Sequence, residues 1–314
     1  MIVTLTANPS LDRAILLEEP LRPGQVQAAS SSREDPGGKG INVARVAAMA
    51  GIDTLAVLPL ADGDPFDAAL RATGLPARRV SITGHVRANL TITDPAGTTT
   101  KLNLPGAALR VTDRSALIAA VVAASEGAAW LALAGSLPPG AGDDFYVDVI
   151  VAVRAALGDA APRIAVDTSG AALTAVVAHA HPDLIKPNDE ELADLAGRDL
   201  APDASYDEIL RIAREVVPTR VSTALVTLGA RGALLVDADG AWLGTPPPIT
   251  VASTVGAGDS SLAGYLLASL DHAGPAARLE NAIRYGSAAA ALAGTQPPRP
   301  HDLPTGDVAI ETLT

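Results

Sequence analysis

At roughly 150 residues per domain, the 314-residue chain has room for two ordinary domains or one large α/β domain. Its net charge of −12 and its 3% of aromatic residues speak against the basic patches and stacking platforms that nucleic acids need. With 48% hydrophobic residues it lies far from the disordered range, and without cysteine it can form no disulfide, zinc–thiolate site or thiol nucleophile.

The first residues, from Met1 to Arg13, lack the basic-then-apolar pattern of a secretory leader. No apolar run reaches the ~18 residues of a membrane span. The longest, 116–135, is interrupted at Ser125, Glu126 and Gly127. A soluble, cytoplasmic protein without membrane contact is therefore expected. Residues 2–6 read as a buried strand ending in the turn Asn8-Pro9-Ser10. Residues 14–33 show no helical period. From 40 to 50 the apolar positions suit a buried helix stopped at Gly51, and 53–60 return as a strand. Residues 87–104 read as a hairpin: Leu90 and Ile92 alternate with threonines, 94–97 supply the turn, and Leu102 and Leu104 alternate on the return. This hairpin and the 14–33 segment are expected to form a small sheet standing off the main domain.

Further along, strands at 128–134, 163–167, 183–186 and 222–228 alternate with helices at 112–125, 143–157, 170–179 and 205–217. That rhythm predicts an α/β fold whose mainly parallel sheet is covered on both faces. Strands near 233–244 and helices at 257–270 and 275–292 follow, then a proline-rich loop at 296–304.

Four motifs carry chemistry. Thr254-Val255-Gly256-Ala257-Gly258-Asp259-Ser260 opens an apolar helix, where glycines admit an anion and free N–H groups point at it. Asp259 would repel phosphate as a ligand, but it suits a base that takes a proton from a hydroxyl beside a held phosphoryl group. A plain helix cap explains it equally well. The run from Asp35 to Asn42 also opens a helix but lacks the P-loop pattern, and a simple turn would account for it. Lys186-Pro187-Asn188-Asp189-Glu190-Glu191 follows a strand; its carboxylates are either partners of the helix dipole or an oxygen corner for Mg²⁺. Thr227-Leu228-Gly229-Ala230-Arg231-Gly232-Ala233 is a strand–turn–strand whose glycines allow a nucleotide, or only a tight turn, to come close. The five histidines are scattered, and Ser136 has no histidine–aspartate pairing in view. The first strand–turn lacks the GxGxxG of a nicotinamide-dependent dehydrogenase.

Taken together and in this order, Asn8-Pro9-Ser10-Leu11-Asp12, the run from Gly37 to Arg45 and Gly256-Ala257-Gly258-Asp259 resemble the PfkB (ribokinase-like) carbohydrate kinases, most of all their phosphosugar branch. The resemblance spans nearly the whole chain. It implies a three-layer α/β/α domain over 1–314, with strands of a β-sheet lid inserted at about 12–35 and 86–105. It implies ATP and Mg²⁺ and leaves a monovalent cation open. Asp12, Gly38 and Asn42 would hold sugar hydroxyls, and Lys39, Arg87 and Ser136 would meet the substrate's phosphate. Lys186, Asn188 and Glu191 would lie near the ATP phosphates, with Asn188 and Glu191 reaching Mg²⁺ through water. Thr227, Gly229 and Gly232 would line the nucleotide cleft, with Gly286 and Ser287 beside the adenine. Asp259 would be the base, and the N–H groups of Gly256, Ala257 and Gly258 the anion hole. The expected reaction is phosphorylation of fructose 1-phosphate to fructose 1,6-bisphosphate, with tagatose 6-phosphate or fructose 6-phosphate as the alternative acceptor. A non-catalytic sugar or nucleotide sensor is the competing class, and a buried base beside phosphate speaks against it. Leu104 departs from the branch, where many members carry Glu in an Asn-Glu-Pro-Gly stretch. The apolar hairpin and the resemblance together lead to the expectation of a homodimer formed through the lid.

Overall fold

In the computed structural model, which describes residues 1–201 and 204–313, the apolar runs form a ten-stranded sheet, and the hairpin joins a second sheet of four strands. The strands in chain order are β1 (Ile2–Leu5), β2 (Ser10–Leu17), β3 (Ala29–Gly37), β4 (Thr54–Leu60), β5 (Ala77–Ser81), β6 (Arg87–Thr93), β7 (Thr99–Asn103), β8 (Trp130–Ala134), β9 (Arg163–Asp167), β10 (Leu184–Ile185), β11 (Thr223–Thr227), β12 (Ala233–Val236), β13 (Ala241–Thr245) and β14 (Ala309–Leu313). The helices are α1 (Lys39–Met49), α2 (Pro65–Ala72), α3 (Val111–Ser125), α4 (Phe145–Leu157), α5 (Gly170–His179), α6 (Asp189–Leu195), α7 (Tyr206–Arg214), α8 (Ala257–Leu270) and α9 (Pro275–Ala291).

The large sheet runs β14-β13-β12-β11-β10-β9-β8-β1-β4-β5. Neighbours from β5 to β11 are parallel, and β12, β13 and β14 turn back antiparallel at one end. Strand β8 shows why both faces are covered. All of its residues are buried; Leu131 and Leu133 enter one core with Phe145 and Tyr146 of α4, while Trp130 and Ala132 enter the other with Leu262 and Leu266 of α8. Successive side chains alternate between faces, so a strand apolar throughout needs a helical layer on each side. Strand order reverses between β1 and β8, because the chain moves out to β4 and β5 before returning to the far side of β1. Such a reversal opens a crevice at the C-terminal ends of the strands, where the functional residues gather. Gly38 joins β3 to α1 with φ of +125°, and a Cβ there would stand 2.6 Å from Thr6 Cγ2. Only glycine meets both demands, and the first turn of α1 thereby rests on the end of β1.

The small sheet runs β3-β2-β6-β7. Leu90 pairs with Leu102, and Leu104 N–H donates to Ala88 O, so Leu90, Ile92, Leu102 and Leu104 share one face. Asp12 pairs with Asn89 and Ser10 with Arg87, which sets these four on the opposite face. Three elements escaped the sequence reading. Strand β5 carries Arg78 and Arg79 at the sheet edge, β14 is a mostly exposed edge strand, and α2 has only eight residues behind its Asp64 cap. The expected strand at 183–186 shortens to two residues, and 233–244 divides into the antiparallel pair β12 and β13. No helix among the described residues is long and apolar enough to cross a membrane.

Candidate active site

At the crevice, strand ends and helix starts bring together groups far apart in sequence. Asp167, at the end of β9, is fully buried, and its Oδ1 accepts a hydrogen bond from Lys39 Nζ at 2.7 Å. Its Oδ2 lies 3.2 Å from Lys186 Nζ, outside hydrogen-bond geometry, and keeps an unused lone pair. Burial alone would raise the pKa of Asp167, but Lys186 and Lys39 hold it below the ordinary carboxylate value. Burial likewise works against the charge on Lys39, yet Asp167 lifts its pKa above the usual lysine range. One buried carboxylate therefore organises two ammonium groups.

Asp259 lies in the first turn of α8, 7% exposed, and its Oδ2 accepts from Asn42 Nδ2 at 2.8 Å. Burial, reinforced by the nearby Asp167 charge, pushes its pKa from 3.8 up to about 6; Lys39, Asn42 and Lys186 oppose the shift. A carboxyl titrating there is ionised at neutral pH and can still accept a proton, which suits a general base. Beside it, the N–H groups of Gly256 and Gly258 reach no backbone carbonyl among the described residues, and that of Ala257 reaches Thr254 O only at 3.4 Å. These are the free donors of a helix start. Lys186 Nζ lies against this loop: a Cβ on Gly258 would stand 3.3 Å from it.

On the small-sheet side, Asp12 Oδ1 accepts from Ser10 Oγ at 2.7 Å and from Asn89 Nδ2 at 2.9 Å. Burial raises the pKa of Asp12, and these two hydrogen bonds and Arg87 pull against it. Arg87 is half-buried, and burial lowers its pKa against the attraction of Asp12. Arg87 Nε, Asn89 Oδ1 and Asn42 Oδ1 are buried without hydrogen-bond partners. Leaving such an atom unpaired costs about 1–3 kcal/mol, so each is available to a polar ligand. Ser136 Oγ receives only a long hydrogen bond, 3.4 Å, from Asn8 Nδ2.

A cleft of about 670 Å³ opens between β11–β13 and the helices α8 and α9, lined by Asn188, Thr227, Gly229, Gly232, Gly286 and Ser287, with Gly258 and Ala257 at its edge. The glycines have packing reasons of their own. A Cβ on Gly232 would meet Gly244 O at 1.9 Å, so a neighbouring strand makes the close approach. One on Gly286 would meet Ser261 Oγ at 2.2 Å, between α8 and α9. Asn188 and Glu191 form a capping box: Asn188 Oδ1 accepts from Glu191 N–H at 2.7 Å, and Glu191 Oε2 from Asn188 N–H at 3.0 Å. No cluster of three or more histidine or acidic side chains able to hold a metal exists among the described residues.

The structure thus gathers the sequence-derived residues into three adjoining groups. The Lys39 ammonium is held by Asp167, a partner that its own stretch of sequence does not show. Asp167 and Asn89 were missed. Both are ordinary polar residues at strand positions, 128 residues from Lys39 and 77 from Asp12, respectively, with no local motif to mark them. Pro246, Pro247, Pro248 and Ile249, which also line the cleft, carried no signal either.

Residues 6–305 match the sequence profile of the pfkB family carbohydrate kinases. The chain belongs to that family. Its members use ATP and Mg²⁺, and this one is accordingly a carbohydrate kinase, a phosphotransferase. It is 35% identical to 1-phosphofructokinase of Rhodobacter capsulatus, over 91% of this chain and 90% of that one. It is 34% identical to the ATP-dependent 6-phosphofructokinase isozyme 2 of Escherichia coli, over 93% of this chain and 92% of that one. Solved structures of phosphofructokinase-2 from Escherichia coli superpose closely. The complex with fructose 6-phosphate gives a TM-score of 0.84 at 32% identity, covering 92% of this chain and 93% of that one. The complex with potassium gives 0.88 at 32% identity, covering 96% of each chain. A tetrameric inhibited form gives 0.82 at 33% identity, covering 92% of each. That tetramer corrects the homodimer expected from the hairpin leucines. Leu102 and Leu104 are indeed 52% and 48% exposed, but one apolar face marks a contact and cannot limit how many copies assemble.

Proposed function

We propose that the chain transfers the γ-phosphoryl group of ATP to the free primary hydroxyl of a fructose monophosphate, with fructose 6-phosphate as acceptor and fructose 1,6-bisphosphate as product. The observation that carries this reading is Asp259: a buried carboxyl with a pKa near 6, beside two lysines and the free amides of a helix start. Asp259 takes the proton of the attacking hydroxyl. Lys39, Lys186 and the N–H groups of Gly256, Ala257 and Gly258 hold the phosphoryl oxygens as charge moves from the nucleotide to the sugar. Asn42 aims the base with its amide N–H and offers its unpaired oxygen to a sugar hydroxyl. Asp12 and Gly38 bind the remaining hydroxyls, and Arg87 with Ser136 holds the phosphate already on the sugar. Thr227, Gly229, Gly232, Gly286 and Ser287 line the nucleotide's place, and the small sheet acts as a lid that keeps water from the transfer.

Magnesium fits this site, because it keeps most of its waters and needs only one or two carboxylates. Glu191 supplies one, with Asn188 beside it, both reaching the ion through its waters. The bound ion would neutralise phosphate charge. A monovalent cation is part of the proposal, supported by the potassium-bound relative.

Fructose 6-phosphate takes precedence over the fructose 1-phosphate expected from sequence, because the relative solved with fructose 6-phosphate matches over nearly its full length. Fructose 1-phosphate stands as the second reading, favoured by the 35% identity to 1-phosphofructokinase. ADP release measured across fructose 6-phosphate, fructose 1-phosphate, tagatose 6-phosphate and fructose decides between them. The highest kcat/KM is expected with fructose 6-phosphate; a higher value with fructose 1-phosphate reverses the order, and equal turnover of free fructose rejects phosphosugar specificity. A charge-assisted hydrogen bond to phosphate is worth about 10- to 150-fold in binding. Arg87→Ala is therefore expected to raise KM for the phosphosugar by that factor and leave KM for ATP nearly unchanged. A parallel rise in both would remove Arg87 from the sugar site.

A further inference from the structure

A second groove, about 600 Å³, lies away from the transfer site, between the C-terminal half of α1, the α2–β5 turn and the loop 292–302. Its charged lining is Arg45, Arg299, His301 and Asp302. Arg45 is half-buried on α1, and no carboxylate stands within ion-pair distance of it among the described residues. Its side chain makes one hydrogen bond, a long one of 3.3 Å to Thr295 O. Desolvation lowers its pKa, the more distant Asp35 offsets this only in part, and Arg33 adds to the repulsion. The Arg299 guanidinium, exposed on the facing loop, also lacks an ion-pair partner among the described residues, whereas Asp302 lies 3.6 Å from His301. In a chain of net charge −12, two arginines lining one groove, neither ion-paired to Asp302, whose carboxylate accepts from the Arg299 backbone N–H instead, need another explanation than solubility. Guanidinium groups match phosphate oxygens in pairs.

We propose that this groove is a second anion site, which takes a small phosphorylated metabolite and is separate from the site of transfer. Its connection to the transfer site is covalent and short. Arg45 lies one helical turn beyond Asn42, which holds Asp259, and two turns beyond Lys39, which holds Asp167. Its hydrogen-bond partner Thr295 belongs to the loop leaving α9, the helix that brings Gly286 and Ser287 to the nucleotide cleft. An anion drawing Arg45 toward Arg299 pulls on both elements, and ligand at one site changes affinity at the other by the same factor in each direction.

Calorimetric titration tests this without relying on turnover. Pyrophosphate is titrated into the protein saturated with a non-hydrolysable ATP analogue and Mg²⁺, then into Arg299→Ala and Arg45→Gln, with citrate as a parallel probe. Each substitution is expected to weaken pyrophosphate binding by about tenfold or more and to leave the affinity for the ATP analogue within about twofold. Arg299 is exposed, so its variant remains informative even if Arg45→Gln fails to fold. Pyrophosphate binding at wild-type strength in Arg299→Ala, or none at all once the nucleotide site is filled, overturns the proposal. Citrate binding more tightly than pyrophosphate, and lost in the same variants, overturns the phosphate class. Either failure leaves the phosphosugar reading intact, because no sugar or turnover enters the measurement.

Discussion

Asp259→Asn is expected to lower kcat by about 10²- to 10⁴-fold, the range typical of a positioned general base, with little change in ATP affinity. The side chain keeps its shape and its contact with Asn42, so the loss isolates proton transfer from packing. Stability should move the other way. The folded pKa of Asp259, about 6, lies above its ordinary value of 3.8. The contribution of this group is therefore fully present below 3.8 and is lost as the pH rises through about 6. Neutral asparagine carries no such penalty. Above that pH the variant should be more stable than the wild type by on the order of 1–3 kcal/mol, read by urea denaturation at pH 7.5. A variant that retains more than about half of the wild-type kcat would leave Asp259 as a helix cap and nothing more.

The second large effect is expected at Asp167. Its carboxylate is the shared counter-ion of Lys39 and Lys186, fully buried among apolar strands. Asp167→Asn leaves two ammonium groups facing each other without it. Removing one partner of a buried ion pair costs about 3–5 kcal/mol, and the lysines lose the positions from which they meet phosphate. A loss of kcat of at least about 10²-fold should accompany the lost stability, since misplaced phosphate ligands cost that much. The pH dependence has a definite sign. Because its folded pKa is depressed, the contribution of Asp167 is fully present above 3.8 and declines as the pH falls below that value toward the folded pKa. The stability gap between wild type and variant should therefore be full at pH 7 and narrow only in strong acid. Equal denaturation midpoints at pH 7 would mean that Asp167 organises nothing.

What the sequence revealed, and what it hid, follows from the range of each signal. The Gly256–Asp259 loop and the helix start at 188–191 are local: backbone conformation and chemistry lie within one helical turn, and both were legible as helix starts. So was the alternation of apolar strands and helices, because burial on both faces imposes it on each strand separately. Asp167 was illegible for the opposite reason. Nothing in Ala165-Val166-Asp167-Thr168 distinguishes a strand-end aspartate from a surface one until β9 lies beside β8 and β10. The phosphate role of Lys39 came from the family resemblance, and its partner Asp167, 128 residues away, could not be seen from its glycine-rich neighbours. The glycines of the nucleotide cleft were legible as glycines, but whether ligand or backbone required them depended on β13 and α8. Assembly was the least legible property, since alternating leucines mark a sticky face and carry no count.

The initial rate of ADP formation at saturating ATP and fructose 6-phosphate, followed from pH 4.5 to 8.5, tests the central claim that Asp259 is the base of the transfer. The rate should fall on the acid side with an apparent pKa near 6, the value to which burial pushes Asp259, and no such limb should remain in the residual activity of Asp259→Asn. A wild-type profile flat from pH 5 to 8, or the same acid limb surviving in the variant, would contradict it.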